Sequence, residues 1–283
     1  MDMKMILLDV GGTFIKCSDG RQIPIDSSGS RDSIVESLRE AVGEADKVAV
    51  AIPGPFDYDR GIFLMKHKFA AVYGERFADL CHSERSEESR SFGKPQDDKR
   101  SEESPSFRFI HDVNAMLLGE MAFGAGKGYD RVALVTLGTG LGFAMSLEGK
   151  LLKNEMGSPA VPIWNLPYLD GILEDYVSKR GFLRGYPEGM TVKRLSELAF
   201  QGDSKALSRF SDTGAVLAQI VEPVLEEYKI ECLLFGGQIS RSFALFGSAV
   251  RTGLSDIPEL RYIGPVSDID NATFNGLKTL HTI

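Results

Sequence analysis

Two short glycine turns, each placed directly after an apolar run, constrain the fold more than any other feature of this sequence. One apolar run leads into residues 9–13, DVGGT, and the second leads into residues 136–142, TLGTGLG. A second β-type segment follows each set of glycines, so each turn predicts a β-hairpin. One glycine hairpin is weak evidence, whereas the same unit in both halves of the chain predicts two similar halves.

The segments around the two turns alternate between strand and helix patterns. Apolar residues at helical spacing predict helices at 30–42, 115–122, 169–180, 191–200, 213–228 and 240–252. Short apolar runs predict further strands at 47–52, 107–111 and 231–235. The chain is therefore predicted to be a mixed α/β protein.

Residues 82–106 interrupt this pattern. The segment is rich in serine and charge, contains Phe92 as its one large apolar residue, and carries the sequence RSEES twice, at 85–89 and 100–104. A segment of this composition cannot bury a hydrophobic core. The sequence favours an insert in a surface loop, and the alternative is a tail for phosphorylation or docking.

The net charge indicates which binding partners to expect, and the cysteine content indicates the cellular compartment. The 283 residues carry 32 Lys and Arg against 40 Asp and Glu, a formal net charge of −8. Nucleic acid and anionic membrane surfaces require concentrated positive charge, so neither is expected as a partner. The three cysteines are widely spaced and the first residues carry no secretion signal, which predicts reduced thiols in a cytoplasmic protein.

The glycine turns suit phosphate binding, because the missing Cβ lets backbone N–H groups approach an anion and threonine hydroxyls add donors. Neither turn matches the phosphate loop GxxxxGK[ST] or the GxGxxG of dinucleotide folds. A third glycine segment, LLFGGQIS at 233–240, suits a nucleotide base and ribose. Asp112, at a predicted strand-to-helix junction, has two open interpretations, a general base or a helix N-cap.

These motifs, in this order, resemble the ROK family of sugar kinases and repressors. The matching segments are 8–16, 52–55, 111–115, 119–120, 126–130, 136–142 and 149–152. The resemblance implies an α/β actin-like ATPase (ribonuclease H-like) fold with two lobes and a cleft between them. Residues 1–110 and a C-terminal helix at 271–283 would form the smaller lobe, and residues 111–270 the larger. A repressor is disfavoured, because the first strand begins near residue 4 without a DNA-binding extension.

The resemblance also implies a reaction. The protein would be a glucokinase-like phosphotransferase that uses ATP and Mg²⁺ to phosphorylate a hydroxyl of a hexose or amino sugar. Asp112 would act as catalytic base, and Asp9 would hold Mg²⁺ directly or through water. Lys16 has two open interpretations, a phosphate contact or a solvent-facing residue. The residues implied for binding the donor and its metal are Asp9, Gly11, Gly12, Thr13, Lys16, Gly138, Thr139, Gly140, Gly236 and Gly237.

The sugar pocket departs from the family pattern. The ExGH motif appears as EMGS at 155–158, so Ser158 replaces a histidine that ligates zinc and contacts sugar, and the family's cysteine cluster is missing near 171–174. Zinc is therefore not expected. The residues implied for sugar binding are Lys68, His111, Asp112, Glu155, Ser158 and Glu174. The changes favour an acceptor with an altered or anionic substituent. The alternative is that they arose by sequence drift in a family member with weakened or no catalytic activity.

Two further functions stay open from the sequence. One is a non-catalytic protein that senses sugar or nucleotide, and the other is a sugar kinase that uses inorganic polyphosphate as its donor. Neither the sugar nor the phosphorylated hydroxyl follows from these motifs. A homodimer is expected because family relatives commonly form one.

Overall fold

Each half of the chain contributes one five-stranded sheet. The computed structural model describes residues 3–81 and 105–280. Two compact units are present among them. The first contains the described residues of Met1–Asp112, Asn154–Ser158 and Leu277–Ile283, and the second contains Val113–Lys153 and Pro159–Gly276.

The first sheet has the strand order β3-β2-β1-β4-β7. Its elements and the helix that follows them are β1 (Met5–Val10), β2 (Phe14–Cys17), β3 (Gln22–Pro24), α1 (Arg31–Val42), β4 (Lys47–Ile52), β5 (Phe56–Asp57), β6 (Ile62–Phe63), α2 (Phe77–Cys81), β7 (Ser106–His111) and α3 (Asp112–Phe123). Strands β1, β4 and β7 are parallel, while β2 and β3 are antiparallel to their neighbours. The carboxyl ends of β1, β4 and β7 therefore meet at one edge of the sheet.

Helix α1 covers one face of this sheet. It begins after Ser30, whose hydroxyl accepts the N–H of Ser33 and so satisfies one of the open donors of the first turn. Its buried residues Ile34 and Leu38 pack in one core with Leu8 and Val50 of the central strands. Full burial of each such side chain stabilises the fold by about 1.5–3 kcal/mol, so this helix is held mainly by its apolar face.

The second sheet has the strand order β10-β9-β8-β13-β14. The elements of this half are β8 (Arg131–Leu137), β9 (Leu141–Leu147), β10 (Lys150–Leu151), β11 (Pro167–Tyr168), β12 (Gly171–Ile172), α4 (Glu174–Val177), α5 (Lys179–Leu183), α6 (Val192–Phe200), α7 (Ser204–Glu227), β13 (Cys232–Gly236), α8 (Phe243–Gly253), β14 (Tyr262–Pro265) and α9 (Ala272–Thr279). Strands β8, β13 and β14 are parallel, and β9 and β10 are antiparallel. The second sheet thus repeats the order and direction of the first, which confirms the predicted mixed α/β fold with two similar halves.

Strand β8 is buried on both faces. Val132 and Leu134 belong to a core that also contains Val113 and Leu117 of α3. The alternate residues Ala133 and Val135 belong to a larger core with helices α7 and α8. Burial on both faces is why the strand is a continuous apolar run instead of an alternating one.

Two glycines let helices α3 and α9 approach closely. A Cβ on Gly119 would lie 2.1 Å from the carbonyl oxygen of Ala272, and a Cβ on Gly276 would lie 1.7 Å from the carbonyl oxygen of Ala115. Both distances are far below van der Waals contact with backbone atoms, which cannot rotate away. The crossing therefore requires glycine at both positions.

The predicted helix at 169–180 is wrong. The segment contains the antiparallel pair of β11 and β12, followed by the short helices α4 and α5. The carboxylate of Asp175 accepts the N–H of Ile172 at 3.1 Å and so stabilises a turn in place of a helix. Ser178 is extended and separates α4 from α5.

Most of the predicted insert at 82–106 lies outside the described residues, but Ser106 is the first residue of β7 and pairs with Lys47. The strand therefore begins at the last residue of the predicted insert, one residue before the predicted start of the strand. Within residues 3–81 and 105–280, no helix has the length and apolar character needed to span a membrane.

Candidate active site

The carboxyl edge of the first sheet collects three polar side chains. Asp9 is the penultimate residue of β1, His111 is the last residue of β7, and Asp112 begins α3. Asp9 and Asp112 are close enough for the charge of Asp112 to raise the pKa of Asp9. Ligands of open α/β sheets bind at the carboxyl ends of parallel strands, which makes this edge the candidate site in the first unit.

Asp9 pairs with Lys16 across the first hairpin. The two residues are register partners, and Lys16 Nζ lies 3.8 Å from Asp9 Oδ2. Burial raises the pKa of Asp9 to about 6, although the charge of Lys16 lowers it. The Asp9 side chain is 24% exposed and so remains accessible to an ion.

A magnesium ion fits this donor set. Asp9 and Asp112 supply carboxylate oxygens, the ligands that Mg²⁺ prefers in proteins. The raised pKa of Asp9 shows that burial and the neighbouring carboxylate disfavour its ionised form, and a bound cation would reverse that effect.

Asp112 is hydrogen-bonded by the residue that precedes it. Asp112 Oδ1 lies 2.8 Å from His111 Nδ1, which donates to it when that nitrogen carries the proton. A hydrogen bond to a carboxylate favours the ionised form and fixes its direction. Both properties are required of a general base.

Tyr58 supports His111 and was not identified from the sequence. The two rings lie 5.8 Å apart, and the Tyr58 hydroxyl donates to the carbonyl oxygen of Ile52 at 2.9 Å. The same hydroxyl forms a hydrogen bond with Ser158, and burial raises the pKa of Tyr58. A Cβ on Gly54 would lie 3.4 Å from both Ser158 Oγ and the Tyr58 hydroxyl, so glycine keeps this corner open.

The segment 154–158 forms a turn against Tyr58. The side-chain oxygen of Asn154 accepts the N–H groups of Met156 and Ser158, at 3.0 and 3.1 Å. The N–H of Tyr58 donates to the carbonyl oxygen of Met156 at 3.2 Å. Glu155, predicted to bind sugar, is exposed in this turn, and Ser158 is the member of the turn that reaches the Tyr58 hydroxyl.

Lys68 lies beside the first glycine turn. Its Cδ and Cε would both be 3.8 Å from a Cβ on Gly12. The next residue, Phe69, is fully buried with a φ of 54°, and its N–H donates to the carbonyl oxygen of Ser27 at 2.6 Å. The N–H of Ser27 in turn donates to the carbonyl oxygen of Gly12 at 3.1 Å, so the turn and the Lys68 loop are hydrogen-bonded through Ser27.

In the second unit, the second glycine turn lies at the carboxyl end of β8. The N–H of Gly138 donates to the carbonyl oxygen of Gly140 at 3.0 Å, which closes the turn. Thr139 is exposed at its tip. Within the described part of the chain, the N–H groups of Thr139 and Gly140 donate to no protein acceptor, which leaves them available to an anion.

Gly236 and Gly237 lie at the neighbouring strand end. Gly236 is the register partner of Thr136 in the parallel pair of β8 and β13. Gly237 has a φ of 79°, and a Cβ there would lie 2.4 Å from the carbonyl oxygen of Leu137. The third glycine segment therefore contacts the second turn through backbone atoms.

The carboxylate of Glu174 lies at the second glycine turn. Its Oε2 accepts the N–H of Leu141 at 2.9 Å, and its Oε1 accepts from Arg180 at 2.8 Å. This contact was not foreseen from the sequence, which gave no local signal for it. The predicted role of Glu174 in sugar binding stays a prediction.

The duplicated five-stranded sheet, with a glycine turn after the central strand of each copy, is the actin-like ATPase fold. Residues 101–160 match the sequence model of the ROK family. The resemblance to the ROK family that the motifs carry is therefore confirmed.

Proteins described as glucokinases are similar to this chain over most of its length. The glucokinase of Thermotoga maritima is 27% identical over 308 residues, which cover 93% of this chain and 90% of that protein. The crystal structure of a ROK family glucokinase from Streptomyces griseus, in complex with glucose and AMPPNP, has a TM-score of 0.75 at 22% identity and 98% coverage of both chains. A ROK family transcriptional regulator, a homologue of the E. coli MLC protein, has a TM-score of 0.75 at 15% identity, covering 100% of this chain and 78% of that one. Kinases and regulators therefore share this fold.

Proposed function

We propose that this protein is an ATP- and Mg²⁺-dependent sugar kinase that phosphorylates a hydroxyl of a hexose or amino sugar. The observation that carries the proposal is the hydrogen bond between His111 and Asp112. This pair lies at the sheet edge where β1 also ends, next to Asp9. The similarity to the Thermotoga maritima glucokinase over most of the chain supports the same conclusion.

The reaction assigns Asp112 the role of general base. The acceptor oxygen forms a bond to the γ-phosphorus, the bond from that phosphorus to the β,γ-bridging oxygen breaks, and the hydroxyl proton passes to Asp112. His111 holds the carboxylate in position through its Nδ1. The Tyr58 ring lies beside His111 and Ser158 lies beside the Tyr58 hydroxyl, and both Tyr58 and Ser158 are candidate contacts for the sugar.

The donor is bound through backbone groups. In the second unit, the N–H groups of Thr139 and Gly140 are available for a phosphate, and the backbone of Gly236 and Gly237 is available for the nucleoside. In the first unit, Asp9 is the residue that would hold Mg²⁺. When bound there, the ion would supply positive charge that neutralises the donor phosphates.

An acceptor screen tests the proposal. Wild-type protein is incubated with ATP and Mg²⁺ across hexoses, amino sugars and sugars with anionic substituents, and ADP formation is measured. Asp112→Asn should lower kcat by about 10²–10⁴ on the best acceptor. Asp32→Asn, at a position that is 98% exposed in α1, is the matched control and should keep wild-type activity. An Asp112→Asn variant as active as wild type would refute the assigned base.

Two alternatives are tested with the same samples. The shared fold of the ROK transcriptional regulator favours one of them, a protein that binds sugar without turnover. A thermal shift with sugars and no ADP formation with any acceptor would support it and overturn the kinase. Replacing ATP with inorganic polyphosphate distinguishes the two donors, and product formed only with polyphosphate would overturn the choice of ATP.

A further inference from the structure

The second glycine turn is held at both ends by one short segment, residues 174–179. At one end the N–H of Leu141 donates to Glu174 Oε2 at 2.9 Å, and at the other the N–H of Lys179 donates to the carbonyl oxygen of Gly138 at 2.9 Å. Helix α4 begins at Glu174 and α5 begins at Lys179. The shape of the turn therefore depends on where these two helices begin.

Glu174 brings a negative charge close to the turn. A Cβ on Gly140 would lie 2.7 Å from Glu174 Oε2, so the carboxylate is adjacent to one of the two available N–H groups. A phosphate bound at Thr139 and Gly140 would be repelled by an unneutralised carboxylate at this distance. A turn that binds phosphate beside Glu174 needs a cation to offset that charge.

Arg180 supplies the cation. Its Nη2 lies 2.8 Å from Glu174 Oε1, and its Nε lies 2.9 Å from Asp175 Oδ1. The other oxygen of Asp175 accepts the N–H of Ile172 in β12. One guanidinium thus pairs with two carboxylates, one that holds the glycine turn and one that holds the β11–β12 pair.

We propose that Arg180 is a positioning residue for the phosphate donor, and that it acts through Glu174. By offsetting the charge of Glu174 while leaving its second oxygen on the N–H of Leu141, Arg180 keeps the turn both correctly shaped and able to accept an anion. The inference rests on the proposed function in one respect, because it takes the ligand of this turn to be the phosphate chain of a nucleotide.

Nucleotide binding tests the inference without turnover. Calorimetry with AMPPNP and Mg²⁺ compares wild type with Arg180→Gln, Arg180→Lys, Glu174→Gln and the double variant Arg180→Gln/Glu174→Gln. Arg180→Gln should weaken binding about five- to tenfold, because it leaves an unpaired carboxylate beside the turn. The double variant should recover most of the loss, because the neutral amide oxygen that replaces the carboxylate still accepts the N–H of Leu141.

The control is a comparable exposed pair elsewhere in the second unit. Arg194 Nη1 lies 2.9 Å from Glu197 Oε2, and Arg194 is 55% exposed against 57% for Arg180. Arg194→Gln should bind AMPPNP as wild type does. Melting temperatures measured on every variant separate a loss of folding from a loss of binding.

The outcomes separate this inference from the proposed function. If wild type binds AMPPNP and Arg180→Gln binds it equally well, the positioning role is overturned and the kinase stands. If wild type binds no nucleotide, both are overturned. If the double variant binds as weakly as Arg180→Gln, the charge of Glu174 is not what Arg180 offsets, and the inference is again overturned.

Discussion

His111 Nδ1 lies 2.8 Å from Asp112 Oδ1, so the proposed base is held by its own neighbour in the chain, at the junction of β7 and α3. Adjacent residues can meet in this way because the backbone changes from strand to helix between them. The histidine is supported in turn by the ring of Tyr58. Asp112 is therefore positioned mainly by His111 at the end of β7 and, through His111, by Tyr58 in the loop after β5.

Replacing His111 tests this arrangement. His111→Leu removes the donor to Asp112 and should lower kcat about 10- to 100-fold, with a smaller change in the KM of the sugar. His111→Asn keeps an N–H donor and should restore most of the activity. Steady-state kinetics on both variants check this. An equal loss of kcat in the two variants would show that the hydrogen bond to Asp112 does not support catalysis.

The raised pKa of Asp9 predicts how the free energy of unfolding depends on pH. The pKa of Asp9 is about 6 in the folded protein against 3.8 for an unperturbed carboxyl, so between these values the folded state binds a proton that the unfolded state has released. The stability due to Asp9 is then greatest below about pH 4 and is lost as the pH rises through about 6. Asp9→Asn should therefore stabilise the protein at about pH 8 by up to about 2–3 kcal/mol, and by about half as much at about pH 5.

Urea unfolding in magnesium-free buffer with a chelator measures this difference. Asp32→Asn, on the surface of α1, serves as the control and should change stability little at either pH. A destabilised Asp9→Asn at about pH 8 would mean that the contact with Lys16 outweighs the cost of burying the Asp9 charge.

The crossing of α3 and α9 should not tolerate a methyl group. Gly276→Ala and Gly119→Ala each place a Cβ against backbone atoms, and each should destabilise the protein by more than about 3 kcal/mol or prevent folding. Gln219→Ala, at an exposed position of α7, is the control and should change stability by less than about 0.5 kcal/mol. Chemical denaturation measures all three, and a stable Gly276→Ala variant would show that the helices can separate.

The proposed kinase activity should not depend on zinc. Residues 171–174 contain no cysteine, so the zinc ligands of the family's cysteine cluster are missing from the sequence there. The β11–β12 pair is instead held by Asp175, and Tyr168 packs edge-on against Tyr176 at 5.0 Å. After treatment with a chelator, Mg²⁺ alone should restore full activity, and a further increase on adding zinc would contradict this.

The features that were predicted from the sequence are local ones. The glycine turns after β1 and β8 have short-range signatures, because a strand, its turn and its partner strand lie within a few residues of each other. The duplication was visible for the same reason, since each copy of the hairpin carries its own signature. The helix predicted at 30–42 is similarly local, since its apolar residues recur at short spacing and pack on one face.

The features that were missed depend on residues distant in sequence or on a single competing contact. Where a helix was expected at 169–180, the N–H of Ile172 donates instead to the carboxylate of Asp175. The contact of Glu174 with Leu141 joins residues that only the tertiary structure brings together. Helical spacing likewise cannot show that Gly119 and Gly276 lie at a crossing, since each residue is compatible with an isolated helix.

The first unit is assembled from three separate stretches of chain, the last of which begins at Leu277. During synthesis on a ribosome, β1, β4 and β7 emerge early, but residues 154–158 and the end of α9 follow much later. The first half of the protein therefore cannot reach its final structure until nearly the whole polypeptide has been released, and the second unit can complete more of its contacts within a continuous stretch. We expect arrested nascent chains that end at Gly276 to resist proteolysis more strongly in the second unit than in the first.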